Sequence, residues 1–209
     1  MAIERTEPTS REIRRVALEM FATKGYDATS VRDIANIVGI RGANMYHHFA
    51  SKEEILWDLT ASALDALATS WRVAQAQTPT DDPAAALKTF VRAHVVFHVE
   101  RRTDAALVNA QLNRLSPEHY ERAVQLRHAY EQELTDIVQA CLDAGGHGVP
   151  DLRVTVFAIL QMATAVATWY QPHGPLSVDE LATVYAELAV KMLAKPRSSS
   201  GRCPAPTAE

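Results

Sequence analysis

The residues best suited to do chemistry lie in one short stretch, between Thr29 and Lys52. Arg32, Arg41 and Lys52 carry cationic donors. Asn44, His47 and His48 can donate and accept, and Thr29, Ser30 and Tyr46 carry hydroxyls. Gly42 and Ala43 are small enough to let the backbone approach a partner closely. This is recognition chemistry. A carboxamide such as Asn44 matches the adenine edge in the major groove, and a guanidinium such as Arg32 matches guanine. Hydroxyls, a helix N-terminus and a lysine suit phosphate oxygens. The chain has no nucleophile elbow, phosphate loop or HExxH sequence. An enzyme is therefore not expected, and no cofactor is called for.

A second, looser set lies further on. His94 and His98 have the i, i+4 spacing of a helical metal pair, but no third ligand is evident nearby, so no metal is expected. With Asn109, Gln111, Gln161, Trp169 and Tyr170 they are candidate polar groups of a small-molecule pocket. Taken singly, each is better read as a satisfied core or rim residue.

The elements that must position these groups read as helices throughout, with apolar residues at helical spacing and almost no strand signal. Thr9 and Glu12 predict a capping box for a first helix, whose stripe is Ile13, Val16, Ala17, Met20 and Phe21. Ser30 caps a second helix with the stripe Val31, Ile34, Ala35 and Val38, ended by Gly39. A short third helix follows, with Met45, Tyr46 and Phe49 inward. Ser51 and Glu54 then open a long fourth helix toward Trp71, and the polar segment from Gln75 to Pro83 predicts a loop. Further helices are expected over 83–101, 104–114, 117–143, 151–169 and 177–193, broken by Gly145-Gly146 and by Pro172-x-Gly174-Pro175.

Helix two, Gly39 and helix three form a helix-turn-helix pattern. Ala35 is small where the two helices cross, and Gly39, four positions later, tolerates positive φ. Ile34, Val38, Ile40 and Met45 face helix one, which leaves Arg41, Gly42, Ala43, Asn44, His47 and His48 on the outer face for a major groove. The alternative is a plain three-helix packing unit. The Ala35…Gly39 spacing alone does not separate the two readings.

Charge gives modest support. The chain carries a net charge of -4. Residues 1–52 hold eight Lys/Arg against six Asp/Glu, whereas residues 53–195 hold 11 against 18. Only the first segment would not repel a phosphate backbone. Two distant cysteines make no disulfide framework and fit a reducing cytoplasm. Residues 1–11 contain no apolar core of a signal peptide. The stretch from Val154 to Tyr170 is free of charge for 17 residues, short of the ~20 apolar residues of a membrane span. It is rich in Ala and Thr, holds Gln161, and reads as a buried core helix with no membrane partner.

Residues 11–56 resemble the N-terminal domain of the TetR family of bacterial regulators. The matching residues are Ala22-x-x-Gly25-Tyr26-x-x-Thr29-Ser30-Val31-x-x-Ile34-Ala35, then Gly39-Ile40, Tyr46-His47-His48-Phe49 and Ser51-Lys52-Glu53-Glu54. The resemblance implies an all-α homodimer of about nine helices per chain. It implies a palindromic double-stranded operator and repression relieved by a small ligand. By position, Arg32, Gly42, Asn44 and His47 match base-facing sites, while Thr29, Tyr46 and Lys52 match phosphate-facing ones. Gly42-Ala43 is smaller than many relatives have there.

The expected organisation is an arm over 1–9, the helix-turn-helix head over 10–52, a ligand-binding and dimerisation half over 53–195 and a disordered tail over 196–209. The helix over 151–169 is apolar all round, so a core is expected on one side and a partner subunit on the other. The expected dimer interface comprises Val156, Leu160, Leu181, Val184, Tyr185 and Leu188. The turn Trp169-Tyr170-x-Pro172-x-Gly174-Pro175-Leu176-Ser177 is similar to one in an acyl-CoA-responsive subgroup. No Lys or Arg lies between Arg153 and Lys191, so Arg101, Arg102, Arg114, Arg122 or Arg127 would have to meet the coenzyme's phosphates. An acyl-CoA and an uncharged hydrophobic or aromatic molecule both remain candidate effectors. An architectural DNA binder without an effector is the alternative. Its mark would be an operator affinity indifferent to metabolites.

Overall fold

The computed structural model describes residues 6–145 and 148–194. Among these residues the chain forms nine α-helices and no strand: α1 (Thr6–Thr23), α2 (Val31–Val38), α3 (Gly42–Met45), α4 (Lys52–Gln77), α5 (Pro83–Glu100), α6 (Arg102–Gln111), α7 (Pro117–Asp143), α8 (Leu152–Trp169) and α9 (Val178–Leu193). A 3₁₀ turn over Leu112–Arg114 joins α6 to α7. The boundaries of α1 and α4 differ from expectation. Helix α1 begins at Thr6, so Thr9 lies within it rather than capping it, and residues 6–9 are helix rather than arm. Helix α4 runs on to Gln77, because nothing before Thr78 breaks its pattern. The expected tail lies outside the described residues, as does Cys203.

Local capping explains most helix starts. The Asp33 amide donates to Ser30 Oγ while the Ser30 amide donates to the Asp33 carboxylate, a complete capping box. Ser177 and Glu180 do the same for α9. At α4 the Glu54 amide donates to Ser51 Oγ, but the Glu54 carboxylate accepts from Ala50 instead of Ser51. Asp82 and Asp151 cap α5 and α8. Gly39 ends α2 at φ 78°, and the Ile40 amide reaches back to the Ala35 carbonyl at 3.0 Å. A Cβ would be strained in that conformation.

Two apolar clusters hold the helices together. The first binds the head: Ile13, Val16, Phe21, Ile34, Met45 and Phe49, joined by Ile55, Leu56 and Leu59 of α4 and by Leu107, Leu115 and Ala123 of the later helices. The head core thus crosses residue 52 and includes the α6–α7 region. The second cluster centres on α5, which packs on α4, α7, α8 and α9. Its middle is aromatic: Phe90 lies 5.0 Å from both Trp71 and Tyr130, centroid to centroid.

Helix α8 is the one described helix long and apolar enough to cross a membrane by composition. It packs Val156, Ile159, Ala163 and Val166 into the second cluster. Val156 and Leu181 are fully enclosed by their own chain, so they do not belong to a dimer interface. Leu160 and Tyr185 are half-buried against the same core. Val184 and Leu188 are exposed, together with Val154, Phe157, Trp169 and Met192. The exposed apolar face of α8 is therefore rotated about one position from its predicted register, while Val184 and Leu188 of α9 are exposed as expected.

Candidate nucleic-acid interface and effector cavity

The reading head presents its polar groups around a rigid support. Met45 and Ile34 are wholly buried, and Phe49 is nearly so. Arg32, Arg41, Ala43, Asn44 and His47 are exposed, and Gly42 is half-exposed with nothing within 4 Å of a built Cβ. The turn over 46–48 follows directly on the four residues of α3. Their side chains lie on the outside of the head.

Four of the expected positions stand differently. Tyr46 is not packed inward; it is 58% exposed. Thr29 is buried, and its hydroxyl donates to the Gly25 carbonyl at 2.8 Å, so it is not offered to a phosphate. His48 Nδ1 lies 3.0 Å from Ser10 Oγ, which ties that ring to α1 instead of a groove. Lys52 turns inward: Nζ donates to the carbonyls of Tyr26 and Thr29 at 2.9 Å each and stands 4.3 Å above the Tyr26 ring. Its charge still lies beside the N-terminus of α2, where Ser30, Arg32, Tyr46 and Lys52 line one open groove. Asp27 lines the same groove but is paired with Arg114 at 2.6 Å. The Asp33 carboxyl is held below its ordinary range by hydrogen bonds from Ser30 and by Lys24.

The head is bolted to the rest of the chain. Arg14 grips Asp58 with two hydrogen bonds, at 2.5 and 3.0 Å. Glu53, in the first turn of α4, accepts from the Ser116 amide at 2.8 Å and meets His119 Nδ1 at 2.9 Å. The His119 ring stacks on Trp57 at 4.6 Å. Burial works to raise the Glu53 carboxyl, but the Ser116 amide and His119 outweigh it and the net direction is down. These partners lie 44 to 66 residues apart, and no local pattern announces them.

The second site is a cavity of about 460 Å³ bounded by α4, α5, α6, α7 and α8. His94, His98, Asn109 and Gln161 line it, as does Leu160. Gln111, Trp169 and Tyr170 do not. Gln111 sits at the end of α6, while Trp169 is exposed at the end of α8 and bonds to Tyr185. Tyr170 packs on the second cluster. Sequence reasoning missed Tyr130 and Thr164, whose hydroxyls lie 3.0 Å from the two nitrogens of His94. The α7 stripe Ala123, Tyr130, Leu134 and Val138 has inward helical spacing and carries the missed signal. Burial keeps both histidines neutral by pushing their pKa values down, that of His94 strongly, and burial raises the Tyr130 hydroxyl. Among the described residues no cluster of three metal-ligating side chains occurs, and His94 is spent on hydrogen bonds. Of the five arginines proposed for a charged ligand, only Arg127 lines the cavity. Arg114 and Arg101 pair with Asp27 and Asp104.

A helix-turn-helix head joined to a helical half with a half-open cavity is the architecture of a DNA-binding regulator. Comparison with known proteins is specific. Residues 13–59 match the family described as bacterial regulatory proteins, tetR family, and residues 80–193 match the tetracyclin repressor-like C-terminal domain. The chain belongs to the TetR family of transcriptional regulators, which are DNA-binding factors and not enzymes. A relative in Mycolicibacterium smegmatis, the HTH-type transcriptional repressor KstR2, is 31% identical over 88% of this chain and 91% of its own. A tetR-family regulatory protein from Rhodococcus RHA1 superposes with a TM-score of 0.82 at 28% identity, covering 89% of this chain and 97% of that one. The ketosteroid transcriptional regulator KstR2 of Mycobacterium tuberculosis gives 0.78 at 25% identity, covering 90% and 95%.

Proposed function

We propose that this chain is a cytoplasmic, homodimeric repressor that grips a palindromic operator with two reading heads and releases it when a hydrophobic small molecule enters the cavity. The observation that carries the DNA reading is the outward set Arg32, Arg41, Gly42, Ala43, Asn44 and His47 over a fully packed support. Arg32 and Asn44 read base edges, while Ser30, Tyr46 and the α2 N-terminus hold phosphates. The exposed apolar side chains of α8 and α9, Val154, Phe157, Val184, Leu188 and Met192, meet the same set on a second copy.

The link between cavity and head supports release by a ligand. Helices α6 and α7 wall the cavity, and the turn between them with the first turn of α7 carries Arg114, Ser116 and His119 onto Asp27 and Glu53. A ligand that shifts α6 or α7 would pull on both anchors and rotate α4 with the head. The two recognition helices would then leave the ~34–36 Å spacing of successive major grooves. The cavity walls are apolar over most of their area, which suits a molecule with a hydrophobic body of the kind implied by a ketosteroid regulator among the relatives. An acyl-CoA whose acyl end enters the cavity is the second candidate.

Sequencing the genomic fragments retained by the purified chain tests the reading. A two-fold symmetric site, bound by two chains and released by a hydrophobic metabolite, is the expected result. Retention without any symmetric site would overturn the dimeric operator, and retention indifferent to a metabolite library would overturn the effector.

A further inference from the structure

Two polar groups of the cavity wall have no adequate partner among the described residues. His98 is 5% exposed, and its Nδ1 lies 2.9 Å from the His94 carbonyl oxygen. A carbonyl can only accept, so Nδ1 carries the proton. Burial keeps the ring neutral, which leaves Nε2 as a bare lone pair. No described residue donates to that nitrogen. No fully enclosed side-chain nitrogen or oxygen among the described residues lacks a partner, so Nε2 opens into the cavity that His98 lines. The ring is stacked 4.1 Å from His94, which Tyr130 and Thr164 hold in place.

Arg127 is the second group. It lies half-buried on the cavity wall, and burial lowers its pKa. Its hydrogen bond goes to Asn109 Oδ1, a neutral acceptor. The carboxylate that lines the cavity, Glu131 one turn further on, makes no ion pair with it. A partly desolvated guanidinium with no counter-charge among the described residues favours an anionic partner, and its planar fork suits an oxyanion. The remaining wall is apolar, with Leu64, Leu67, Phe97, Val108, Leu126 and Leu160.

We infer that the cavity takes an organic oxyanion with an apolar body and a hydroxyl or N–H donor of its own. Arg127 holds the anionic group, and His98 Nε2 accepts from the donor. This rests on the reading of the cavity as the effector site, and it narrows that site to one class of molecule. A neutral hydrocarbon-like ligand would leave both groups unsatisfied.

The test measures binding of matched probes to the full chain by calorimetry. The probes are decanoate, hydroxydecanoates with the hydroxyl at successive carbons, decyl phosphate, 1-decanol and methyl decanoate. At least one hydroxydecanoate is expected to bind about tenfold tighter than decanoate. Arg127→Gln should weaken every oxyanion about tenfold or more and leave 1-decanol unchanged. His98→Phe should erase the preference for the hydroxyl while decanoate binding stays; His98→Leu repeats the measurement if the larger ring does not fold. A preference between decanoate and decyl phosphate assigns the oxyanion as carboxylate or phosphate. Equal binding of methyl decanoate and the hydroxydecanoates overturns the inference, as does failure of every probe to bind. Operator retention is followed in the same samples. Selective binding that leaves the operator bound would sink the effector role and leave this assignment standing.

Discussion

In the reading head, polar side chains work at helix ends. Ser30 with Asp33 and Ser51 with Glu54 satisfy amides that a helix leaves open, and Lys52 collects carbonyls from the turn before α2. In the sensing half the polar groups stand in mid-helix and face inward: His94, Tyr130 and Thr164 form a chain inside an aromatic and aliphatic core. The first arrangement fixes backbone geometry and leaves the outer face free for a partner. The second places hydrogen-bonding capacity where a small ligand can reach it. One region spends its polar groups on helix ends, the other gathers them around a cavity, and the two meet where Glu53 joins His119.

The largest test of this contrast is Phe90→Ala. Phe90 is completely enclosed at the centre of the sensing core, and its removal should cost about 3–5 kcal/mol, read from urea unfolding. Loss of sensing-half hydrogen-exchange protection ahead of that of α1–α3 would sharpen the division. Simultaneous loss in both would make the two clusters one cooperative unit.

Acid should separate the regions next. His94 and His98 have folded pKa values below the ordinary 6.5, so the unfolded chain takes up protons that the folded chain refuses. Their contribution is fully present above pH 6.5 and declines as the pH falls below it. In the head, Asp33 and Glu53 are held below their ordinary 3.8 and 4.5, so their contribution persists until the pH falls through those values. Between pH 6.5 and 4.5 the sensing half should weaken while the head holds. His94→Gln should flatten that decline in the denaturation midpoint. An unchanged slope would remove the histidines from the account.

Lys52→Ala distinguishes a strut from a reader. With its ammonium spent on Tyr26 and Thr29, the variant should lose about 1–3 kcal/mol of stability and bind all DNA sequences more weakly. Weaker binding and a flatter salt slope without any loss of stability would make Lys52 a phosphate contact instead. The smallest effect on the fold is expected for Gly42→Ala. The added methyl meets nothing within 4 Å, so thermal stability should stay level or rise by up to ~1 kcal/mol, while operator affinity falls. Unchanged operator affinity would take α3 out of close contact with the DNA.

Much of the head was legible in the sequence because its determinants are local. The Ser30 cap, the left-handed Gly39 and the inward Ile34 and Met45 depend on residues a few positions apart. The cavity was legible only in part. His94, His98, Asn109 and Gln161 line it, but Tyr130 and Thr164 had to be found by packing. Helix α8 shows why: with apolar residues on every side, its pattern cannot say whether Val156 or Phe157 faces the core.

The sequence by itself determined the nine helices among the described residues, most of the stops between them and the outward Arg41-Gly42-Ala43-Asn44 stretch. Those follow from hydrogen bonds and strain within a turn of helix. Only the tertiary structure decided that Lys52 turns inward, that His48 serves α1, that Val156 and Leu181 belong to their own core, and that Arg127 stands at the cavity wall bonded to Asn109. Each of these depends on helices from distant parts of the chain meeting at one angle and register, and no spacing within a single helix encodes that.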